Sequence, residues 1–78
     1  MHNLYTLKDL GINETGYVTS LLAGDDIRRR LLDMGLTPKT EVFVRKVAPL
    51  GDPIELFLRG YELTIRLEDA KNIEILKK

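Results

Sequence analysis

Apolar and polar side chains alternate along several short stretches of this chain, which is the pattern of β-strands with one buried and one solvent-facing side. The alternation is unbroken over residues 61–67, and the other stretches are rich in the β-branched, aromatic and aliphatic residues that favour strands. The sequence therefore predicts five short strands, over residues 17–22, 41–48, 54–58, 61–67 and 73–76.

Glycine and proline mark the connections between these strands. Residues 49–53 predict an exposed loop, because their two prolines fix φ and have no amide hydrogen to donate to a sheet. Arg59 and Gly60 predict a two-residue hairpin loop, in which Gly60 tolerates a positive φ. Single helical turns are predicted over residues 6–10, as a cover on one end of the fold, and over residues 68–72.

One longer helix is predicted over residues 25–34, between the first and second strands. Ile27, Leu31 and Met34 recur at i, i+4 and i+7, which places them on one face of this helix. Asp25 or Asp26 can serve as the N-cap residue, and a carboxylate there suits the positive end of the helix dipole. We therefore expect the helix to begin with an aspartate cap and to bury its apolar face.

The end of the helix is marked by Gly35, which fits the C′ position because a left-handed conformation is costly for residues with a Cβ. Leu36 then occupies C″ and Leu31 occupies C3, the pair that makes the hydrophobic contact of a Schellman motif. Pro38 prevents the helix from resuming. The residues expected to complete the core from this segment are Ile27, Leu31, Met34 and Leu36.

These elements predict a mainly β fold, a small SH3-like barrel of about five strands with one helix inserted between strands one and two. Short strands in so small a chain must hide their edges, and closure into a barrel pairs the edge N–H and C=O groups without further covering elements. A length of 78 residues predicts a single domain over residues 1–78.

Composition narrows the classes of function. Twelve basic and twelve acidic residues give a net charge of zero, so no long-range field attracts nucleic acid or an anionic membrane. The absence of cysteine excludes disulfides and thiolate sites and favours a reducing cytosol. No stretch approaches the roughly 20 apolar residues that span a bilayer, so we expect a cytoplasmic protein without membrane insertion.

No arrangement of residues in the sequence predicts catalysis. The only histidine, His2, lies at a terminus that we expect to be frayed, and the carboxylates are scattered without the spacing of a metal site. No glycine-rich stretch resembles a phosphate-binding loop. We therefore expect neither an enzyme nor a resident metal or cofactor.

Arg28, Arg29 and Arg30 form the strongest charge cluster. Successive helical positions are about 100° apart, so the three guanidinium groups spread over the exposed surface. A solvated helix face whose arginine stems cover the barrel edge is the favoured interpretation, followed by a surface that docks a protein. Nucleic-acid binding is less favoured, because the chain is neutral and has few aromatic residues for stacking.

The proline-rich loop at residues 48–53 also has two interpretations. It can be a stiff connection between strands, or a preorganised tip that exposes Leu50 to a partner. Proline rigidity would serve the second role, because a stiff loop loses little entropy when it binds, and both interpretations stay open.

Three separated motifs, in this order, resemble the FeoA family. They are residues 27–38 (Ile-Arg-Arg-Arg-Leu-Leu-Asp-Met-Gly-Leu-Thr-Pro), residues 48–54 (Ala-Pro-Leu-Gly-Asp-Pro-Ile), and residues 59–63 (Arg-Gly-Tyr-Glu-Leu) with Arg66 and residues 69–70. The resemblance covers nearly the whole chain, from Leu7 to Ile75. One departure is Lys39, where the family commonly has glycine; a positive φ there would strain a lysine.

The resemblance implies an SH3-like barrel and a small cytosolic accessory protein of bacterial ferrous-iron uptake. Its implied partner is the cytosolic region of the membrane transporter FeoB, whose GTPase-coupled transport it would modulate. Arg28, Arg29 and Leu50 are the predicted contacts, whereas the residues with predicted structural roles are Ile27, Leu31, Met34, Gly35, Leu36 and Gly60. Weak self-association stays open.

Two alternatives remain at this point. One is a nucleic-acid-binding small barrel, and the other is the FeoA-like regulatory domain of an iron-dependent repressor. Because no helix-turn-helix or metal-site segment precedes the domain in this sequence, we expect the standalone transport accessory.

Overall fold

The structure, a computed structural model, describes residues 5–78, so the expectation for His2 lies outside the described residues. The strands are β1 (Tyr5–Thr6), β2 (Thr15–Leu21), β3 (Glu41–Val47), β4 (Ile54–Leu58), β5 (Tyr61–Ile65) and β6 (Ile73–Lys77). The helices are α1 (Asp25–Asp33), α2 (Leu67–Ala70) and a 3₁₀ turn (Leu7–Asp9).

The strands form one antiparallel sheet of six strands in the order β1-β6-β2-β3-β4-β5. This confirms the mainly β fold with a helix between the first two predicted strands, here β2 and β3. The two-residue strand β1 is additional to the five predicted. Within residues 5–78 the end strands β1 and β5 do not pair with each other, so the sheet curls without closing.

Helix α1 lies beside the edge strand β5. The Tyr61 hydroxyl at the start of β5 donates to the Met34 carbonyl at the end of α1. Arg30, one turn earlier, forms a salt bridge of 2.7 Å with Asp69 in α2. These contacts join the C-terminal half of α1 to the edge strand β5 and to α2, on the open side of the fold where the sequence places this helix.

The core lies between the inward-facing residues of the curled sheet and the helical turns. Inward positions alternate along each strand, as in Val42 and Val44 of β3 or Leu56 and Leu58 of β4, and all four are at most 1% exposed. The 3₁₀ turn contributes Leu7, and Leu10 follows it, so it covers the core as predicted. Each fully buried side chain of this size contributes about 1.5–3 kcal/mol from burial.

Strand β5 ends at Ile65, two residues before the predicted end. The Arg66 carbonyl accepts from the amides of Asp69 and Ala70, so the chain turns into α2 there. Leu67 still packs against the core, but from the first turn of α2. The alternation of apolar and polar residues therefore continues from strand β5 into helix α2, and the sequence pattern does not show where the strand ends.

The start of α1 differs from the predicted aspartate cap. Gly24 occupies the N-cap position, with extended φ and ψ of −67° and 172°, and its carbonyl accepts from the Arg28 amide at 2.9 Å. Asp25 and Asp26 lie in the first turn instead, where the helix dipole still favours their carboxylates. The expectation that one of them caps the helix was wrong, because the helix begins one residue earlier.

The prediction that Ile27 belongs to the core was also wrong, since its side chain is 39% exposed. Leu31 is the buried residue of α1, and Met34 packs against the core with partial exposure. The contacts of Arg30 and Met34 show that α1 is anchored by its C-terminal half. Ile27 lies in the first turn, one turn before this anchor, and its apolar spacing has no core surface opposite it.

The end of α1 is the Schellman motif that the sequence predicts. Gly35 has φ of +99°, its amide donates to the Leu32 carbonyl at 3.0 Å, and the Leu36 amide donates to the Leu31 carbonyl at 3.1 Å. Leu31 and Leu36 are both fully buried.

At the β4–β5 hairpin Arg59 and Gly60 have φ of +50° and +85°, as a two-residue type I′ loop requires.

Candidate docking site

We use the name α1–loop surface for Arg28, Arg29 and Leu50, the three contact residues that the sequence predicts. All three are exposed, and Leu50 is as accessible as in an extended chain, at 101%. Helix α1 is tied to α2 by the Arg30–Asp69 salt bridge, and the Leu50 loop is tied to α2 by the Asp52 carboxylate, which accepts from the Leu67 amide at 2.9 Å. The fold therefore attaches both predicted contact regions to the same short helix.

The Leu50 loop is held in a defined shape by its own backbone. The Gly51 amide donates to the Ala48 carbonyl at 2.8 Å, and the Ala48 amide donates to the Pro53 carbonyl at 3.0 Å. Leu50 itself has φ of +84°, a left-handed conformation that costs a non-glycine residue about 1–2 kcal/mol. An apolar side chain presented from a strained, fixed turn loses little conformational entropy on binding.

A shallow apolar groove of about 360 Å³ adjoins this loop. Val47, Ala48, Pro49 and Pro53 line one part of it, and Ile12, which is 54% exposed, lines another. The exposed leucine and the groove together give this side of the molecule an apolar character.

A second surface, which the sequence analysis did not identify, lies on the outer face of the sheet. Phe43 of β3 and Phe57 of β4 are opposite each other in the strand register, and Phe57 is 38% exposed. A groove of about 540 Å³ runs beside this pair and continues to Thr15, Lys39, Thr40 and Arg59. We call it the outer-face groove.

Both cations of the outer-face groove have left-handed backbone conformations, with φ of +74° at Lys39 and +50° at Arg59. The Lys39 amide donates to the Val18 carbonyl at 2.7 Å, which holds the chain beside β2. The Arg59 guanidinium donates to the hydroxyls of Thr37 and Thr40 at 2.8 and 2.9 Å. These bonds fix the guanidinium of Arg59 and the backbone of Lys39, the two cationic residues that line the groove.

The acidic residue of the groove, Glu41, is already engaged by a cation. Lys78 donates to its carboxylate at 3.1 Å, and this hydrogen bond together with the negative charge of Glu41 raises the pKa of the Lys78 ammonium above its ordinary value. Farther along the outer face, Arg45 and Glu62 form a pair at 2.8 Å. The charge that remains uncompensated at the groove is therefore positive.

The outward orientation of Phe43 and Phe57 could have been predicted from the alternation of side chains along a strand. Phe43 lies between Val42 and Val44, and Phe57 lies between Leu56 and Leu58, so each takes the polar side if its neighbours are buried. The pairing of β3 with β4 that brings the two rings together follows only from the register. The positive φ of Arg59 follows from the two-residue hairpin that the sequence predicts. The positive φ of Lys39 accompanies a bond to the distant strand β2, although Lys39 had been identified as a position where a lysine would be strained.

Residues 5–78 contain no group of three or more histidine, cysteine, aspartate or glutamate side chains placed to hold a metal ion. Neither helix in the described part of the chain has the length and hydrophobicity needed to cross a bilayer.

Comparison with known proteins identifies the family of this chain. A family model described as the FeoA domain matches residues 5–77. The Fe(2+) transport protein A/Fe(2+) transporter FeoB fusion protein of Porphyromonas gingivalis is 29% identical over 69 residues, which is 88% of this chain. This chain spans only 8% of the length of that fusion protein.

Solved structures agree with the fold. A FeoA-like protein from Clostridium acetobutylicum has a TM-score of 0.89 and 35% identity, with coverage of 99% of this chain and 90% of that one. FeoA of Stenotrophomonas maltophilia, described as a prokaryotic SH3 domain protein complexed with zinc, has a TM-score of 0.80 and 26% identity, with coverage of 92% and 89%. The SH3-like fold predicted from the sequence is thereby confirmed.

Proposed function

This chain belongs to the FeoA family, which is associated with ferrous-iron transport, and from that premise we propose that it is a non-enzymatic accessory protein that docks on the cytosolic region of the transporter FeoB. The observation that carries the proposal is the Porphyromonas gingivalis protein, in which a related domain and the transporter share one polypeptide. Covalent fusion keeps two modules at high local concentration, which benefits modules that act together. Docking then modulates GTPase-coupled transport from the cytoplasmic side.

The α1–loop surface is the proposed contact. Arginine is enriched at protein interfaces because its planar guanidinium forms several hydrogen bonds at once. Leu50 supplies an apolar anchor on a fixed turn. Its side chain is fully exposed, so a partner that covers it buries the whole apolar surface of the leucine. None of the three side chains forms a hydrogen bond or a salt bridge within residues 5–78, so the fold does not need them for internal contacts.

A pull-down with the transporter's cytosolic region tests this proposal. The variant combines Arg28→Glu, Arg29→Glu and Leu50→Asn, the last chosen because asparagine tolerates the left-handed conformation at that position. We expect the apparent Kd to rise at least about tenfold, since both charge and apolar anchor are lost. Initial rates of GTP hydrolysis, measured with and without the accessory protein, report on modulation in the same samples.

The matched control combines Lys8→Glu, Lys77→Glu and Leu22→Ser, which makes the same charge change and also removes an exposed leucine. It should bind like the wild type. Unchanged binding of the first variant, shown by its amide spectrum to be folded, would exclude the α1–loop surface. Absence of any binding by the wild type would contradict docking itself.

A further inference from the structure

The outer-face groove combines an apolar floor with a charged end. Phe43 and Phe57 face each other across β3 and β4 and form the floor, with more than a third of Phe57 open to solvent. Lys39 and Arg59 lie at one end and Thr15 adds a hydroxyl group. A protein surface that exposes aromatic rings beside fixed polar groups is typical of a recognition site.

Backbone strain coincides with this groove. Four non-glycine residues in the described part of the chain have positive φ: Asn13, Lys39, Leu50 and Arg59. Two of them are the groove's cations. Glycine adopts the same conformation without a steric cost, so the fold requires the backbone shape at Lys39 but does not require the ammonium group. Strain retained in this way is common where a side chain has a role in binding.

The two cations are also unneutralised. Within residues 5–78, no carboxylate oxygen lies within 4.0 Å of the charged nitrogens of Lys39 or Arg59, while Glu41 in the same groove is paired with Lys78. Arg59 keeps its remaining donors available beyond the bonds to Thr37 and Thr40. A carboxylate placed at this end would gain charge-assisted hydrogen bonds without displacing an internal partner.

We propose that the outer-face groove binds an extended acidic segment of the transporter partner, with a carboxylate at Lys39 and Arg59 and a neighbouring apolar side chain on Phe43 and Phe57. The inference rests on the proposed docking to FeoB and adds a second contact surface with its own chemistry. The complementarity is of charge and of apolar surface together, which gives specificity to a modest interface.

A peptide fits this surface better than a nucleic acid. Beyond the aromatic pair, Arg45 is neutralised by Glu62, and Lys46 is opposite Glu55 in the strand register. The groove therefore has positive charge at one end rather than along its length, whereas a phosphate backbone needs a continuous positive track. The net charge of zero agrees with this choice.

Two single variants test the groove. Lys39→Gly removes the cation and relieves the left-handed strain, so we expect a higher urea midpoint together with a Kd for the transporter's cytosolic region raised about fivefold to tenfold. A purely structural lysine would change only the midpoint. Phe57→Thr suits an exposed strand position and removes the ring, and it should raise the Kd about tenfold.

The controls are Lys8→Gly and Leu22→Thr, which remove a cation and an exposed apolar side chain outside the groove. Lys8→Gly should lower the urea midpoint, because that residue has no positive φ to relieve, and neither control should change the Kd. If the wild type binds and both groove variants bind equally well, the groove inference fails while docking stands. If the wild type does not bind, the proposed function fails and this inference fails with it.

The occupant is identified by replacing Phe57 with the photoreactive residue p-benzoylphenylalanine and irradiating the complex with the transporter's cytosolic region. Mass spectrometry should find the crosslink in a segment that contains aspartate or glutamate beside an apolar residue. A crosslinked segment without acidic residues would overturn the inference. Tight binding of a fluorescent 15-nucleotide oligo(U) that Lys39→Gly weakens would also overturn it, in favour of nucleic acid.

Discussion

Gly35 is the residue at which helix α1, the β4–β5 hairpin and the loop to β3 meet. Its φ is +99°, and a Cβ built there would overlap the Tyr61 hydroxyl, which itself donates to the Met34 carbonyl. The side of the residue that a methyl group would occupy is therefore already filled. Backbone conformation and packing both require glycine at this position.

We predict that Gly35→Ala lowers the free energy of unfolding by about 2 kcal/mol or more, because left-handed strain and steric overlap add. Tyr61→Phe removes the overlapping oxygen, so the double variant should be more stable than the sum of the two single effects implies. Urea unfolding of all four proteins gives this coupling free energy. Strict additivity would show that the overlap with Tyr61 contributes nothing.

Thr40 shows how polar groups are accommodated at the same corner. It is the only polar residue in the described part of the chain that is buried, at 5% exposure. Its hydroxyl bonds with Thr37 at 2.9 Å and accepts from Arg59 at 2.9 Å. Because buried polar groups are costly when unpaired, this small network also fixes the turn that carries Lys39.

At the scale of elements, α1 is a helix anchored at one end. Its buried residue, Leu31, lies one turn from the Schellman ending, whereas Ile27 in the first turn is exposed. We predict that Leu31→Ala lowers the free energy of unfolding by about 3 kcal/mol and that Ile27→Ala lowers it by less than about 1 kcal/mol. Equal losses would mean that the apolar face of α1 is buried along its whole length.

The strands themselves were predictable because burial alternates with a period of two residues, and each apolar run has a turn-forming residue at its end. The β4–β5 hairpin was found to the residue, since Arg59 and Gly60 interrupt two alternating runs. The strand β1 has only two residues and pairs with the distant β6, so no local pattern could reveal it. For the same reason the end of β5 could not be separated from the start of α2.

At the scale of the whole molecule, β6 joins the two ends of the chain. It lies between β1 and β2 in the sheet, and its residues Ile73 and Ile75 are buried in the core. Its register pairs Ile75 with both Val18 and Tyr5. A sheet in which an interior strand comes last along the chain must bring the two ends of the chain together to form the core.

We therefore predict that truncation after Asn72 abolishes cooperative unfolding, because β1 and β2 lose their common partner and the core is opened. Dispersion of the amide resonances and a urea melt provide the measurement. As a control, Leu76→Thr changes a side chain of β6 that is 59% exposed and should leave the transition intact. A cooperative transition in the truncated chain would show that the remaining strands suffice for the fold.

Local order along the chain determined the strands, the helix ending at Gly35, the hairpin and the family resemblance, because alternation, turn chemistry and capping act between residues close in sequence. Tertiary structure alone decided that Ile27 has no core surface opposite it and that the Leu50 loop and α1 both contact α2. It also decided that Phe43 and Phe57 line one groove with Lys39 and Arg59. Each of these depends on which distant segments become neighbours, and strand order and register are set by the packing of the whole core.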